Sequence, residues 1–181
     1  MKKIFATSLI LITLLVIGCR NDKPSTTVDN CQKLQVKSDI EALLRDITDC
    51  TKRKDINGFM ASCDDTFILE SNETADSNRT IAKDTLKADI LQSWGIITKI
   101  YQVENWVDSI SVPASDTAIV FTNQFFHRTF SRPNNLPGED DIITTQKHRE
   151  TWIKRPNGWK QSRIKELGGF IYVNGKPYSP K

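Results

Sequence analysis

Histidine is scarce in this chain: His127 and His148 are the only two among 181 residues. The four cysteines (Cys19, Cys31, Cys50 and Cys63) include no Cys-x-x-Cys pair and form no cluster with a histidine. That composition argues against a thiolate–imidazole metal centre, and neither a metal nor a cofactor is expected. The glycines nowhere form a phosphate-cradling loop, and no serine sits in a nucleophile elbow. A surplus of charge is missing too. Its 25 basic and 22 acidic residues leave a formal +3, which includes Lys2 and Lys3 near the N-terminus. A nearly neutral chain has no electrostatic footprint for nucleic acid, so none is expected as a partner. No internal repeat is visible.

Long apolar runs are absent with one exception, Ile4–Ile17, which follows the basic Lys2-Lys3. It falls short of the ~20 residues that span a bilayer and reads as the apolar part of a secretory signal. Val16-Ile17-Gly18-Cys19 resembles the bacterial lipobox, whose cysteine thiol is lipidated and becomes the new N-terminus. The resemblance implies lipidation at Cys19 and a place in the bacterial cell envelope. Arg20 stands where an aspartate would resemble an inner-membrane retention signal, which points to the outer membrane in a Gram-negative cell. Residues 1–18 are then a signal peptide and 19–37, with Pro24-Ser25-Thr26-Thr27, a polar tether.

The folded domain is expected over 38–167, with 168–181 as a C-terminal extension. Ser38-Asp39-Ile40-Glu41 has capping-box spacing, and Ile40, Leu43, Leu44 and Ile47 follow at helical intervals. Asp55 caps a short second helix carrying Ile56, Phe59, Met60 and Cys63. A strand at Phe67–Leu69 and a polar run at 71–78 precede a third helix, capped by Asp84 or Thr85, with Leu86, Ile90, Leu91 and Trp94 on its buried side. From Ile100 the period changes to that of strands rich in Val, Ile, Thr and aromatics. The centre of this half is Ile142–Leu167, two extended runs around Arg155-Pro156-Asn157-Gly158, with Trp152 and Trp159 on either side of the turn. A two-residue Asn157-Gly158 turn sets Glu150 opposite Lys165 and Arg149 opposite Glu166. A three-residue loop with a bulge shifts the register by one and undoes that pairing. Helices first and long strands afterwards make the fold class α+β, helices packed on one face of a curved sheet.

Lys54-Asp55-Ile56-Asn57-Gly58-Phe59, Cys63-Asp64-Asp65-Thr66-Phe67 and the distal Arg149-Glu150-Thr151-Trp152 … Asn157-Gly158-Trp159-Lys160 resemble SnoaL-like, nuclear transport factor 2-like domains. The resemblance implies a cone: a curved antiparallel sheet with the N-terminal helices on its concave face. That superfamily contains isomerases, cyclases, dehydratases and plain binding or dimerisation modules, so fold does not supply function. Its isomerase-type members resemble one another in a tyrosine on the first helix, which this chain lacks.

The expected pocket is bordered by Trp94, Tyr101, Phe125, His127 and Trp152. His127 and Glu150 are the candidate acid/base residues; the plainer alternatives are a rim histidine facing solvent and a cross-strand ion pair. Phe125 and His127 share a strand face by the two-residue period. Among the thiols, Cys50–Cys63 is the favoured pair if a disulfide forms, against a free buried thiol at Cys63. The function read from the sequence is a lipid-anchored envelope protein that binds a small apolar or amphipathic molecule. Its alternatives are an isomerase, cyclase or dehydratase-type enzyme using His127 or Glu150, and a module that forms a homodimer or an interaction through its open sheet face.

Overall fold

The computed structural model describes residues 30–74, 77–132 and 136–178. The signal segment, Cys19 and the tether up to residue 29 lie outside the described residues. Helix α1 (Asn30–Arg53) begins ahead of the Ser38 capping box, which lies inside it. The reason is visible in its stripe: Val36 is buried one turn before Ile40, Leu44 and Ile47, so the apolar face starts before Ser38. Residues 30–37, expected as tether, are therefore helical. The helix closes on Lys54, whose φ of 55° is left-handed. Lys54 N–H donates to the Thr51 carbonyl and Asp55 N–H to that of Cys50, the pattern that usually recruits glycine. The lysine is held there by its tip: Nζ donates to the carbonyls of Trp94 and Ile97 at 2.8 and 2.6 Å. A cation thus meets the carbonyls at the end of the third helix.

Helix α2 (Ile56–Ala61) is capped as its sequence predicts, the Asp55 carboxylate accepting from Gly58 N–H at 3.0 Å. Strands β1 (Cys63–Thr74) and β2 (Ser77–Ala82) are paired antiparallel, so 71–74 and 77–78 of the polar run are strand rather than loop. Helix α3 (Lys83–Ile96) has Ala82 at its N-cap with no side-chain bond, in place of the Asp84 or Thr85 expected. It buries Trp94 and packs Leu86 and Ile90 against Phe67, while Leu91, expected inward, is exposed.

Strands β3 (Ile97–Ala114), β4 (Thr117–Ser131), β5 (Glu139–Arg155) and β6 (Gly158–Val173) form a long meander, and β7 (Lys176–Pro177) turns back on β6 at Asn174-Gly175. The sheet order is β2-β1-β6-β5-β4-β3. All ladders are antiparallel except β1 with β6, which is parallel, so the curved, unclosed sheet is mixed rather than purely antiparallel. Gly168-Gly169, expected to end the core, lies within β6; a Cβ on Gly169 would collide with the Thr145 carbonyl.

The β5–β6 hairpin resolves the open register. Its turn is Pro156-Asn157, with Arg155 facing Gly158 at φ 107°. A bulge skips Ser162, after which Glu150 faces Ile164 and Arg149 faces Lys165. The charge pairing is undone, and Glu150 points to the helices. In β4 and β5, whose register is unbroken, Ala118, Val120, Thr122, Gln124, Phe126 and Arg128 face Trp152, Glu150, His148, Gln146, Thr144 and Ile142. Ala118, Val120 and Trp152 pack with Val36, Ile40, Leu44 and Ile47 of α1 and with Trp159. This whole set therefore lies on the helix-covered face. Phe125, His127, Thr145 and Ile143 lie on the outer face. No helix among the described residues is long and apolar enough to cross a membrane.

Candidate functional site

The residues singled out in the sequence fall into separate places. Trp94 is buried beneath α3, edge-on to Phe59 with ring centroids 6.1 Å apart. Trp152 is fully buried under α1. Tyr101, the bulged residue between Ile100 and Gln102, is about half exposed and stacks on the His127 ring at 4.5 Å. His127 Nε2 lies 2.7 Å from Asp141 Oδ1 on the outer face, and Phe125 shares that face. The structure brings Tyr101 to His127 and Trp152 to Glu150, but it sets these pairs on opposite sides of the sheet and leaves Trp94 with neither. The three cysteines Cys31, Cys50 and Cys63 are free, Cys31 exposed and the other two buried.

Glu150 is 3% exposed and saturated. One carboxylate oxygen accepts from Thr122 Oγ1 at 2.6 Å; the other accepts from Trp152 Nε1 and Gln161 Nε2, each at 2.8 Å. A carboxylate so occupied anchors the sheet centre. Beside it, His148 is buried, and desolvation pushes its imidazole below the ordinary value against the opposing pull of Glu150 and Glu166. It is neutral at pH 7. Its cross-strand neighbour Glu166 accepts from Ser71 Oγ at 2.6 Å and from Gln146 Nε2 at 3.5 Å.

These groups belong to a belt of polar side chains across the covered face. From the β3 edge, Asn105 Nδ2 donates to Thr48 Oγ1 of α1 at 2.8 Å, and Gln124 Nε2 donates to Asn105 Oδ1 at 3.0 Å. Gln146 stands opposite Gln124 in the ladder, and Glu166 and Ser71 complete the crossing. Every strand of the meander and β1 contributes a member. Thr48 and Asn105 also line a cleft of about 590 Å³ between α1 and β3, with Arg45, Asp49, Lys52, Val103, Glu104 and Trp106. That volume falls within the range of small-molecule sites.

Next to the cleft lies a half-buried cation. Val103, on the cleft wall, is the cross-strand partner of Phe126, and the Arg128 guanidinium sits 4.2 Å over the Phe126 ring and 5.0 Å from that of Phe130. Nη1 donates to the Phe126 carbonyl at 3.2 Å and to Thr144 Oγ1 at 2.9 Å, while the buried Nε has no partner. Desolvation lowers its pKa to about 10, so it stays charged at neutral pH. Cation–π contact supplies ~0.5–2 kcal/mol per ring. Partial burial also carries a desolvation cost, and the rings and two neutral acceptors supply no opposite charge against it.

The sequence reading passed over Arg128 and the belt. A signal was available: Phe126, Arg128 and Phe130 continue in phase with Ala118 and Val120, which places an arginine on a buried face. The same phase places Gln124 there; nothing local marks Asn105, because β-bulges in β3 set its alignment.

No family model and no curated protein matches this sequence. Solved structures do match. A scytalone dehydratase-like protein of Novosphingobium aromaticivorans DSM 12444 superposes with a TM-score of 0.67 at 14% identity, over 84% of this chain and 94% of that one. A conserved protein of Planctomyces limnophilus DSM 3776 gives 0.61 at 12% identity, over 77% and 98%. A type 2 hexachlorocyclohexane dehydrochlorinase gives 0.60 at 11% identity, over 84% and 95%. At these identities the likeness concerns the fold alone. The chain has the cone fold of SnoaL-like, nuclear transport factor 2-like domains.

Proposed function

We propose that this protein binds a small amphipathic molecule in the cleft between α1 and β3, and that lipid on Cys19 holds it in the bacterial envelope. The observation that carries the binding reading is the cleft opening onto the polar belt: apolar Val103 and Trp106 stand beside the Thr48–Asn105 pair. Interiors dispense with polar groups unless they serve, since an apolar substitute of like shape costs less desolvation. Apolar walls with a few placed donors and acceptors suit a small ligand. Titration of the full-length chain with the neutral dye N-phenyl-1-naphthylamine tests it. Bound-dye fluorescence is expected, reduced several-fold by Trp106→Ala and by Asn105→Leu. Absence of binding, or binding that ignores both substitutions, refutes the cleft.

A second reading, acid–base catalysis, has one observation in its favour. His148 is a buried neutral imidazole between two carboxylates, the state a general base needs at pH 7. Two of the structural neighbours are described as dehydratase-like and dehydrochlorinase proteins. In this reading His148, rather than His127 or Glu150, takes the proton. Loss of any detected turnover in His148→Gln with the fold intact supports it; unchanged turnover rejects it.

A further inference from the structure

We propose that Arg128 forms an anion subsite, at which the helix-covered face takes a small organic carboxylate with an apolar body. The inference rests on the binding reading above and adds the charge of the ligand.

The geometry begins with which donors are spent. Nη1 is committed to the Phe126 carbonyl and to Thr144 Oγ1. Nε has no partner, and no hydrogen bond to Nη2 exists among the described residues. Those two N–H groups lie along one edge of the guanidinium and point in parallel, the fork that fits both oxygens of a carboxylate.

No counter-charge is supplied from among the described residues. Several other arginines are paired with acids: Arg155 with Asp64 at 2.7 Å, Arg132 with Asp140 at 3.1 Å and Arg163 with Glu70 at 3.4 Å. These arginines are all substantially exposed, where a pair contributes little. Arg128, less exposed than these, has no acidic partner among the described residues. The acids on the same face are engaged by other donors: Glu150 by Thr122, Trp152 and Gln161, Glu166 by Ser71 and Gln146, and Asp140, opposite Phe130, by Arg132 and Asn174.

The surroundings select the kind of anion. Phe126 and Phe130 flank the guanidinium and favour an organic body over a fully hydrated inorganic ion. A single cation with one free edge matches a monovalent carboxylate; a dianion would bring a second charge with no partner. Val103, on the cleft wall, pairs with Phe126 and so sets this position beside the cleft.

The test compares benzoate, the neutral benzyl alcohol and inorganic phosphate by calorimetric titration of the detergent-solubilised full-length chain at fixed ionic strength. Benzoate is expected to bind about 10- to 100-fold more tightly than benzyl alcohol, the range of a hydrogen-bonded charge. Arg128→Met should erase that preference while leaving benzyl alcohol unchanged, and Arg128→Lys, which keeps the charge and loses the fork, should fall between. A preference that survives in Arg128→Met overturns the proposal, as does phosphate binding as tightly as benzoate. Benzyl alcohol binding at least as well as benzoate overturns the anion subsite and leaves the binding reading standing; binding of none of the three overturns both. Should Arg128→Met fail to fold by circular dichroism, the comparison of the three probes on the unaltered chain decides, with Arg128→Lys as the variant.

Discussion

Replacing Glu150 separates an anchoring carboxylate from a reacting one. Glu150→Ala strands the Thr122 hydroxyl, the Trp152 indole N–H and the Gln161 amide in a site closed to water. A buried polar group left without a partner costs ~1–3 kcal/mol. The hydroxyl can rotate to another acceptor, whereas the indole N–H cannot, so two full penalties are counted rather than three. The variant also loses the side chain's packing but no longer buries a charge, and these oppose each other. The net expectation is a destabilisation of ~3–5 kcal/mol, a large share of the ~5–15 kcal/mol that holds a domain together. Glu150→Gln keeps one acceptor oxygen and presents its amide to Thr122, which can accept; ~1–2 kcal/mol is expected. Urea unfolding followed by tryptophan fluorescence and circular dichroism reads both, provided the m-value is unchanged. A loss below about 1 kcal/mol for the alanine variant, or equal losses for the two, would show that these hydrogen bonds do not bear the stability assigned to them.

Other perturbations address other parts of the molecule. Because burial holds His148 below the ordinary 6.5, the unfolded chain takes up a proton there that the folded chain refuses. Stability should fall as pH drops from about 7 to about 5, and His148→Gln should flatten that part of the urea-midpoint profile. Burial raises the thiol pKa of Cys50 and Cys63, whereas Cys31 is exposed. Iodoacetamide with mass spectrometry should therefore label Cys31 in the native protein and the other two only on unfolding. His127→Ala, on the outer face, should leave dye binding in the α1–β3 cleft unchanged, and a several-fold loss there contradicts the face assignment. Cys19→Ser should release the protein from the membrane fraction or leave an unprocessed precursor; mature protein still sedimenting with membrane counts against the lipid anchor.

What the sequence disclosed depended on how local the signal was. The Asp55 cap, the stripes of α1 and α3 and the Trp152–Trp159 hairpin each express a short-range rule, and each is found in the structure. The two-residue period correctly put Phe125 and His127 on one face, but period alone does not say which face the helices cover. That was decided by Ala118, Val120 and Trp152 meeting Ile40 and Leu44 across the chain. Glu150 shows the same limit from another side. Its orientation hung on a bulge at Ser162 and on whether the turn took in Gly158, a one-residue matter that reverses every side chain beyond it. Leu91 and the start of α1 were misjudged because tertiary burial, not helix periodicity or capping potential, chose them.

The parallel ladder between β1 and β6 bears on the order in which the molecule can form. Glu70 and Ser71 meet Lys165 and Glu166, and the Ser71–Glu166 bond joins residues 95 apart in sequence. The strands from β3 to β6 pair with their neighbours in sequence, β3 with β4 and β5 with β6 across two-residue turns, and can assemble as soon as they exist. The helices and the β1–β2 pair come first off the ribosome, yet the strand that joins them to the meander comes nearly last. Until it arrives, Phe67, Leu86 and Ile90 lack their neighbour Ile164, and joining so distant a pair bears a large loop-closure cost. Folding should thus be slow and committed late, with an early species in which β4 and β5 already cover Ile40 and Leu44 while β1 pairs with β2 alone. A chain released short of Gln161 keeps its helices and hairpins in sequence, but has nothing to join the first half of the sheet to the second.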